Sequence, residues 1–458
     1  MVVSSFAIGV LGKSLYGLGF VDAILVDISF NLLGIMTVCF FSCFGPPFGL
    51  RQMVLSRFWF GWWGTKFSEH LYLHCVEGSG SRYLHISLSF SVAILNVLAC
   101  VGWSAANAIV GAQFIHAVNT DVPGFAGILI ITICTLFITF AGYKLVHAYE
   151  YWSWIPTFIV FIIVLGMFAH SGDFMNIPMG VGRSELGGVL SFGSTVYGFA
   201  TGWTSYAADY TAYQPATRSR RKVFLSAWLG LFPPLAFTQM LAIAIMTATE
   251  IDGGNNKYQA GYSASGNGGL LSAVLEPLGG FGKFCLVILA LSIIANNCPN
   301  IYSVSLTLQV LNRYTQRVPR FVWVFLASCA SIAIGIPGYS QFETVLENFM
   351  NFIAYWLAIY SGIAISDHFI FKRGFGGYHP EIYDDRNKLP MGIAAALAFG
   401  FGIAGMITGM SQSWYVGPIA IHAGEAPTGG DIGFELAFLF AAVSYCALRP
   451  VELKVFGR

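Results

Sequence analysis

The sequence predicts an all-α integral membrane protein of about twelve transmembrane helices. Composition is the first reason: of 458 residues, 56% are hydrophobic and only 10% charged, where a soluble domain carries roughly 25% charged residues. The mean hydropathy is +0.68. The third reason is pattern. The apolar residues gather into runs of about 20, the length of a bilayer-spanning helix, with short polar connections between them.

In chain order the spans fall at 1–20, 23–44, 90–116, 125–146, 152–170, 188–212, 223–248, 269–311, 321–338, 345–371, 390–410 and 431–448. The eighth includes its lead-in. Together they form one polytopic domain over 1–458, with a core through 371 and a final helix pair at 390–448. The first span begins at Met1, so its helix is expected to be truncated, and no charged stretch of a cleavable signal precedes it. Residues 67–89, "FSEHLYLHCVEGSGSRYLHISLS", are polar and contain His, and they look inserted between spans two and three.

Lys and Arg orient the chain. Connections between spans alternate between an odd and an even side of the bilayer. The even side collects 19 of the 23 basic residues, including Arg51, Arg57, the run Arg218, Arg220, Arg221 and Lys222, and Arg313, Arg317 and Arg320. The odd side holds Lys13, Arg183, Lys257 and Lys283. This asymmetry predicts that both termini are cytoplasmic and that "EIDGGNNKYQAGYSASGNGG" forms an outward-facing loop.

Several function classes are disfavoured. A net charge of +1 offers no basic face for nucleic acid. The nine Cys show no CxxC or Cys/His metal spacing, and most lie in apolar runs where Cys acts as a small hydrophobe. No HExxH or GxSxG motif occurs, so the reading is not an enzyme, with no cofactor and no metal.

Two spans are rich in glycine: the first, "SSFAIGVLGKSLYGLG", and the sixth, "GGVLSFGSTVYGFATGWTSYAADY". They lie five spans apart. Unwound backbone within a membrane survives only where it is buried in protein or lines a cavity. Glycine-interrupted segments at corresponding positions point to two inverted five-helix repeats with helices 1 and 6 broken at a binding site. The bland alternative is close helix packing through small residues.

Three spans add chemistry. In the third, Trp103 and Asn107 are four apart and share a helical face. An aromatic ring beside an amide suits a planar heterocycle, which stacks on the ring while the amide reads its edge. Asn107 could equally join two helices. In the sixth, Trp203 follows the glycines, and Asp209 stands just before the basic run, either as an interface residue paired with Arg or Lys or as a gate. In the eighth, "ANNCPN" puts Asn296, Pro299 and Asn300 on one face, with Ser303 a turn further and Asn297 about 100° away. Pro299 removes a backbone donor. Two amides beside a disturbed ladder need partners, and a ligand is the favoured one.

The segments "GWTSYAADYTAYQP", "LALSIIANNCPNIYSVSLTLQVL", "FGLRQMVLSRFWFG" and "GYKLVHAYEYWSWIP" resemble those of the fungal purine-cytosine permeases, in the nucleobase:cation symporter family. The likeness runs over nearly the whole chain in motif order. It implies a five-plus-five inverted-repeat transporter importing cytosine, adenine, guanine or hypoxanthine by proton symport at the plasma membrane. It places substrate contacts at Trp103, Asn107, Trp203, Asn296, Pro299 and Asn300, with Ser4 or Ser5 from the first helix. Sodium-coupled relatives carry hydroxyls where this chain has Ile294 and Ala295, which favours a proton as coupling ion. Asp209, Glu150 and Asp367 are candidate proton carriers. The partners implied are a small-molecule nucleobase and the lipid bilayer; no oligomeric state is implied. A vitamin carrier for pyridoxine or thiamine and a non-transporting relative are the alternatives.

Overall fold

In the computed structural model the described residues are 3–61, 92–140, 143–311 and 313–458. The stretch 67–89 lies outside them. Twelve helices coincide with the expected spans: α1 Val3–Ser14, α2 Phe20–Ser42, α3 Val92–Val118, α4 Gly124–Phe140, α5 Tyr143–Ser171, α6 Gly182–Thr201, α7 Arg220–Thr247, α8 Gly280–Leu311, α9 Arg320–Gly338, α10 Phe342–Ser366, α11 Ile393–Gly409 and α12 Gly433–Phe456.

Packing between them repeats under a shift of five. Helix α1 packs on α7, and α6 on α2; α3 packs on α9, and α8 on α4. The pairs α2–α7 and α3–α8 map onto themselves under the same shift. Five is odd, so the second set of helices crosses the membrane in the opposite sense. Helices α11 and α12 form a hairpin against α10. Its odd-side connection holds a two-stranded antiparallel ribbon, β1 Ser411–Gln412 and β2 Tyr415–Val416.

Helix α1 has 12 described residues, about 18 Å of helix against a hydrocarbon core of about 30 Å. It runs unbroken through Val3–Ser14. It ends where Gly17, at φ +65°, lets the chain reverse, and the amides of Gly17 and Leu18 return to the carbonyls of Lys13 and Gly12. The expected break does occur in span six. Helix α6 stops at Thr201, Gly202 and Trp203 turn, and a 3₁₀ segment follows over Thr204–Tyr210, with Tyr206 out of helical geometry at φ −142°. Thr37 of α2 sits in the gap, its hydroxyl 2.8 Å from that of Thr201 and 2.9 Å from that of Thr204.

Several boundaries differ from expectation. The lead-in 269–275 is not part of span eight. It belongs to a separate helix, Lys257–Leu275, kinked at Ser265 and Gly266 and separated from α8 by Gly279 at φ +54°. Most of the expected outward loop is therefore helical. Asn256 caps that helix by accepting the amides of Tyr258 and Gln259. Residues 143–151, expected to form the end of span four and the connection after it, are helical within α5, Tyr143–Ser171. Span four is described as helix over Gly124–Phe140. Finally, α8 continues through Pro299 without interruption.

Candidate functional site

A cavity of about 280 Å³ opens where α1, α3, α5, α7 and α8 meet the break after α6. Six of the eight residues singled out from the sequence line it: Ser5, Trp103, Trp203, Asn296, Pro299 and Asn300. Helix α3 supplies Trp103, which is held on both sides. Its ring meets Phe199 of α6 edge-on at 5.2 Å and Phe349 of α10 at 5.6 Å. Its edge also lies against Gly202, where an added Cβ would come within 3.0 Å of the indole. The break itself supplies Trp203, tilted against Tyr206 at 5.3 Å and Tyr210 at 5.4 Å. The cavity is thus walled by two aromatic groups from different helices.

Helix α8 contributes the polar wall. Asn300 donates its Nδ2 to the carbonyl of Asn296 at 3.0 Å. Pro299 has no N–H, so the carbonyl of Ala295, also in the cavity wall, lacks its usual donor four residues on. Asn297 leaves this face as expected. It donates to the carbonyl of Ser104 at 3.3 Å and so ties α8 to α3.

Two of the singled-out residues do not line the cavity. Asn107 is fully buried on α3, and neither its Nδ2 nor its Oδ1 has a partner among the described residues. A buried amide without partners costs about 1–3 kcal/mol. Ser4 is buried beside Ser5 with its hydroxyl also unpartnered among the described residues. Ser5 both lines the cavity and bonds the hydroxyl of Thr238 on α7 at 2.6 Å.

The three candidate proton carriers fall in different places. Glu150 lines the cavity. Asp209 accepts the backbone amide of Gln52 at 2.7 Å, and Gln52 in turn accepts the amide of Ala208 at 3.2 Å and donates to Tyr360 of α10 at 2.9 Å. Its hydrogen-bond partner is thus a backbone amide rather than the expected Arg or Lys side chain, while Arg51 donates to Tyr213. Asp367 lies away from the cavity, accepting from Tyr445 at 2.9 Å and facing Arg449 at 3.8 Å.

Other residues of the site escaped the sequence reading. Phe199, Ser153, Trp154, Leu231, Pro234 and Leu235 complete the wall. The adjacent prolines Pro233 and Pro234 inside an apolar span were a visible signal; the aromatics were not, since they look like ordinary core. Asn96 of α3 was also missed. It accepts from Ser205 at 2.8 Å and donates to Thr307 at 3.3 Å, so it joins the 3₁₀ segment to α8.

A second space, lined by Arg51, Tyr206, Asp209, Tyr213, Pro299, Tyr302 and neighbouring residues, adjoins the cavity through Glu150, Tyr206 and Pro299. It opens on the even side. On the odd side, Tyr16 bridges Thr195 at 2.7 Å and Glu347 at 3.2 Å, and Tyr262 bonds Glu343. The odd-side hollow around Gln113 and Tyr262 shares no lining residue with the cavity. Among the described residues the cavity thus joins the even-side space through shared lining residues and shares none with the odd-side hollow.

A group of α1, α2, α6 and α7 set against the α3–α8 pair, with an interrupted helix at the cavity between them, is the architecture of a secondary active transporter built from inverted repeats. Residues 1–76 and 86–417 match the family model described as permease for cytosine/purines, uracil, thiamine, allantoin, and the chain belongs to that family. It is 72% identical over 458 residues to the purine-cytosine permease fcyB of Emericella nidulans, covering 100% of this chain and 84% of the relative. It is 42% identical over 464 residues to the purine-cytosine permease FCY2 of Saccharomyces cerevisiae, covering 100% and 82%. Its fold is similar to that of Mhp1, a nucleobase-cation-symport-1 family transporter solved in a closed conformation with bromovinylhydantoin bound, with a TM-score of 0.61 at 14% identity over 100% of this chain and 90% of that one.

Proposed function

We propose that this transporter imports cytosine and purines such as adenine, guanine and hypoxanthine by proton symport, at the plasma membrane, with the even side and both termini in the cytoplasm. The observation that carries the substrate class is the cavity wall. Two of its indoles, Trp103 of α3 and Trp203 of the break after α6, come from different elements, and the amides of Asn296 and Asn300 share one helical face with the freed carbonyl of Ala295. Bases present flat π faces and an edge of N–H and C=O groups. Indoles bind the faces, and acceptor oxygens on α8 bind the ring and amino N–H groups. The volume of about 280 Å³ lies below the ~300–1,000 Å³ of drug-sized sites, which suits one small planar ring system. The likeness to two purine-cytosine permeases supports the same reading.

Transport follows from alternating access to the cavity. In this conformation the base leaves toward the even side through the Glu150–Asp209 vestibule. Breaking the Tyr16–Glu347 and Tyr262–Glu343 contacts opens the odd side. Ile294 and Ala295 offer no side-chain oxygen for a hard cation, which supports a proton as the coupling ion. Basic residues concentrated on the even side support its cytoplasmic placement.

The test is uptake of labelled cytosine by transport-deficient cells expressing the chain. Adenine, guanine and hypoxanthine compete; pyridoxine and thiamine do not. Competition by the vitamins with indifference to purines would reverse the substrate assignment. Terminal tags accessible from outside intact cells would overturn the orientation.

A further inference from the structure

Away from the cavity wall, α2 carries a carboxylate that the site does not use. Asp27 has no exposed surface. It lies about 10 Å along α2 from its odd-side end at Phe20. Its Oδ1 accepts from Nδ2 of Asn31, one turn on, at 2.8 Å. The same Nδ2 donates to Oε1 of Gln239 on α7 at 2.7 Å. Asp27, Asn31 and Gln239 are all fully buried. Three of their polar atoms, Asp27 Oδ2, Asn31 Oδ1 and Gln239 Nε2, have no partner among the described residues.

No cation compensates this carboxylate among the described residues. Its electrostatic surroundings are set by burial and by Asn31. From α7 the facing group is the Gln239 amide. From α1 the basic residue is Lys13, which pairs with Glu250 at 3.0 Å. From α6 and the 3₁₀ segment no charged group faces it. An ionised carboxylate held this way is uncompensated in a membrane interior, and such a residue marks a functional site by default. A proton changes the inventory: the acid form adds a donor to a cluster that has an unpaired amide oxygen. Two other fully buried acids, Asp431 and Asp367, have hydrogen-bond donors or a cation at hand. Asp431 accepts from Tyr355 and from the amides of Ser411 and Gly433, and Asp367 has Tyr445 and Arg449.

The cluster lies one residue along α7 from a contact of the substrate site. Gln239 adjoins Thr238 in α7, and Thr238 bonds Ser5 of the cavity wall. The network therefore links α1, α2 and α7.

We infer that Asp27 is the residue that carries the coupled proton, in a site built by Asn31 and Gln239 and linked to the cavity through Thr238 and Ser5. This rests on the proton-symport reading. One proton from the odd side adds to the Asp27 carboxylate in the odd-open state. The O–H bond breaks in the even-open state, and the proton leaves to the even side as the carboxylate resets. No other bond changes.

The experiment uses the purified full chain in proteoliposomes with labelled cytosine. The wild type accumulates cytosine when a pH gradient is imposed. Asp27→Asn is expected to keep cytosine counterflow but lose gradient-driven accumulation and the pH dependence of uptake. An Asp27→Asn protein that still accumulates cytosine on the gradient overturns the inference while leaving proton symport standing. A wild type indifferent to the gradient overturns proton symport itself, and the inference falls with it. If Asp27→Asn does not reach the membrane, Asp27→Glu decides. It keeps an acid in a displaced position, so coupling persists with a shifted pH midpoint, and an active Asp27→Glu with an unmoved midpoint overturns the assignment.

Discussion

Asn300 turns its amide nitrogen back onto its own helix, donating to the carbonyl of Asn296 at 3.0 Å. The side chain is therefore anchored before any substrate arrives. One N–H of that nitrogen is committed, which leaves a base the acceptor oxygen Oδ1 and the second N–H, beside the Ala295 carbonyl that Pro299 leaves without its helical donor. A base that presents N–H groups to this wall meets two acceptor oxygens, and one that presents an acceptor meets the remaining N–H of Asn300.

Asn300→Ala removes Oδ1 and the second N–H and leaves the base edge unpaired. The expected loss is about 1–3 kcal/mol, or roughly 5–150-fold in affinity. It is read as the concentration of unlabelled cytosine that halves labelled uptake. Unchanged affinity in an active Asn300→Ala protein would remove Asn300 from the site.

The two tryptophans separate binding from packing. Trp103 is 6% exposed and wedged between Phe199 and Phe349, whereas Trp203 is only partly buried. Base–aromatic stacking contributes about 1–3 kcal/mol. Both alanine variants should weaken cytosine binding on that scale, but only Trp103→Ala should also lower the melting temperature substantially. Equal thermal shifts would contradict this division.

Asn297 serves the opposite purpose to its neighbours. Asn297→Ala removes the bond to Ser104 between α8 and α3. Interhelical bonds of this kind contribute about 0.6–2 kcal/mol. The melting temperature of the purified protein should fall while the KM for cytosine stays put. A raised KM with unchanged melting would place Asn297 in the site instead.

Asp209 anchors the loop after α2. Asp209→Asn retains an acceptor for the Gln52 amide, so it should transport with a wild-type pH profile. Asp209→Ala leaves that amide unmet, at about 1–3 kcal/mol, and should lower stability. A pH profile flattened by Asp209→Asn would transfer proton coupling to this residue.

Gly198 sits where α6 meets the backbone of α10. A Cβ there would lie 2.0 Å from the carbonyl oxygen of Met350. Backbone cannot yield as a side chain can, so Gly198→Ala should exceed the about 1–3 kcal/mol typical of overpacking. The expected result is little folded protein in the membrane, measured by fluorescence size-exclusion of a tagged chain. Normal yield and melting would mean that the two helices can separate there.

Much of the site was legible because helical spacing is local. Residues at i, i+3 and i+4 share a face whatever surrounds them, so Asn296, Pro299 and Asn300 could be grouped and Asn297 set apart. Trp203 was legible because glycines announced the break ahead of it. Asn107 and Ser4 had the right chemistry on the right helices but are turned away from the cavity wall in this conformation. The rotation of a helix about its own axis is set by its neighbours and leaves no mark on residue spacing. Asp27 passed unnoticed in an apolar run, since its standing depends on which amides α7 presents to it.

Composition and periodicity by themselves determined the membrane class, the twelve spans, the sidedness of the basic residues and the interruption in span six. Hydropathy and backbone freedom are properties of short segments, and a short segment displays them. Tertiary packing decided which aromatics wall the cavity, that it joins the even-side space, that 257–275 folds as a separate helix, and that Asp27 has amides rather than a cation for company. Those features arise from contacts between residues far apart in the chain, such as Asn31 with Gln239 or Tyr16 with Glu347. Only the folded arrangement of the helices brings such pairs within hydrogen-bonding reach.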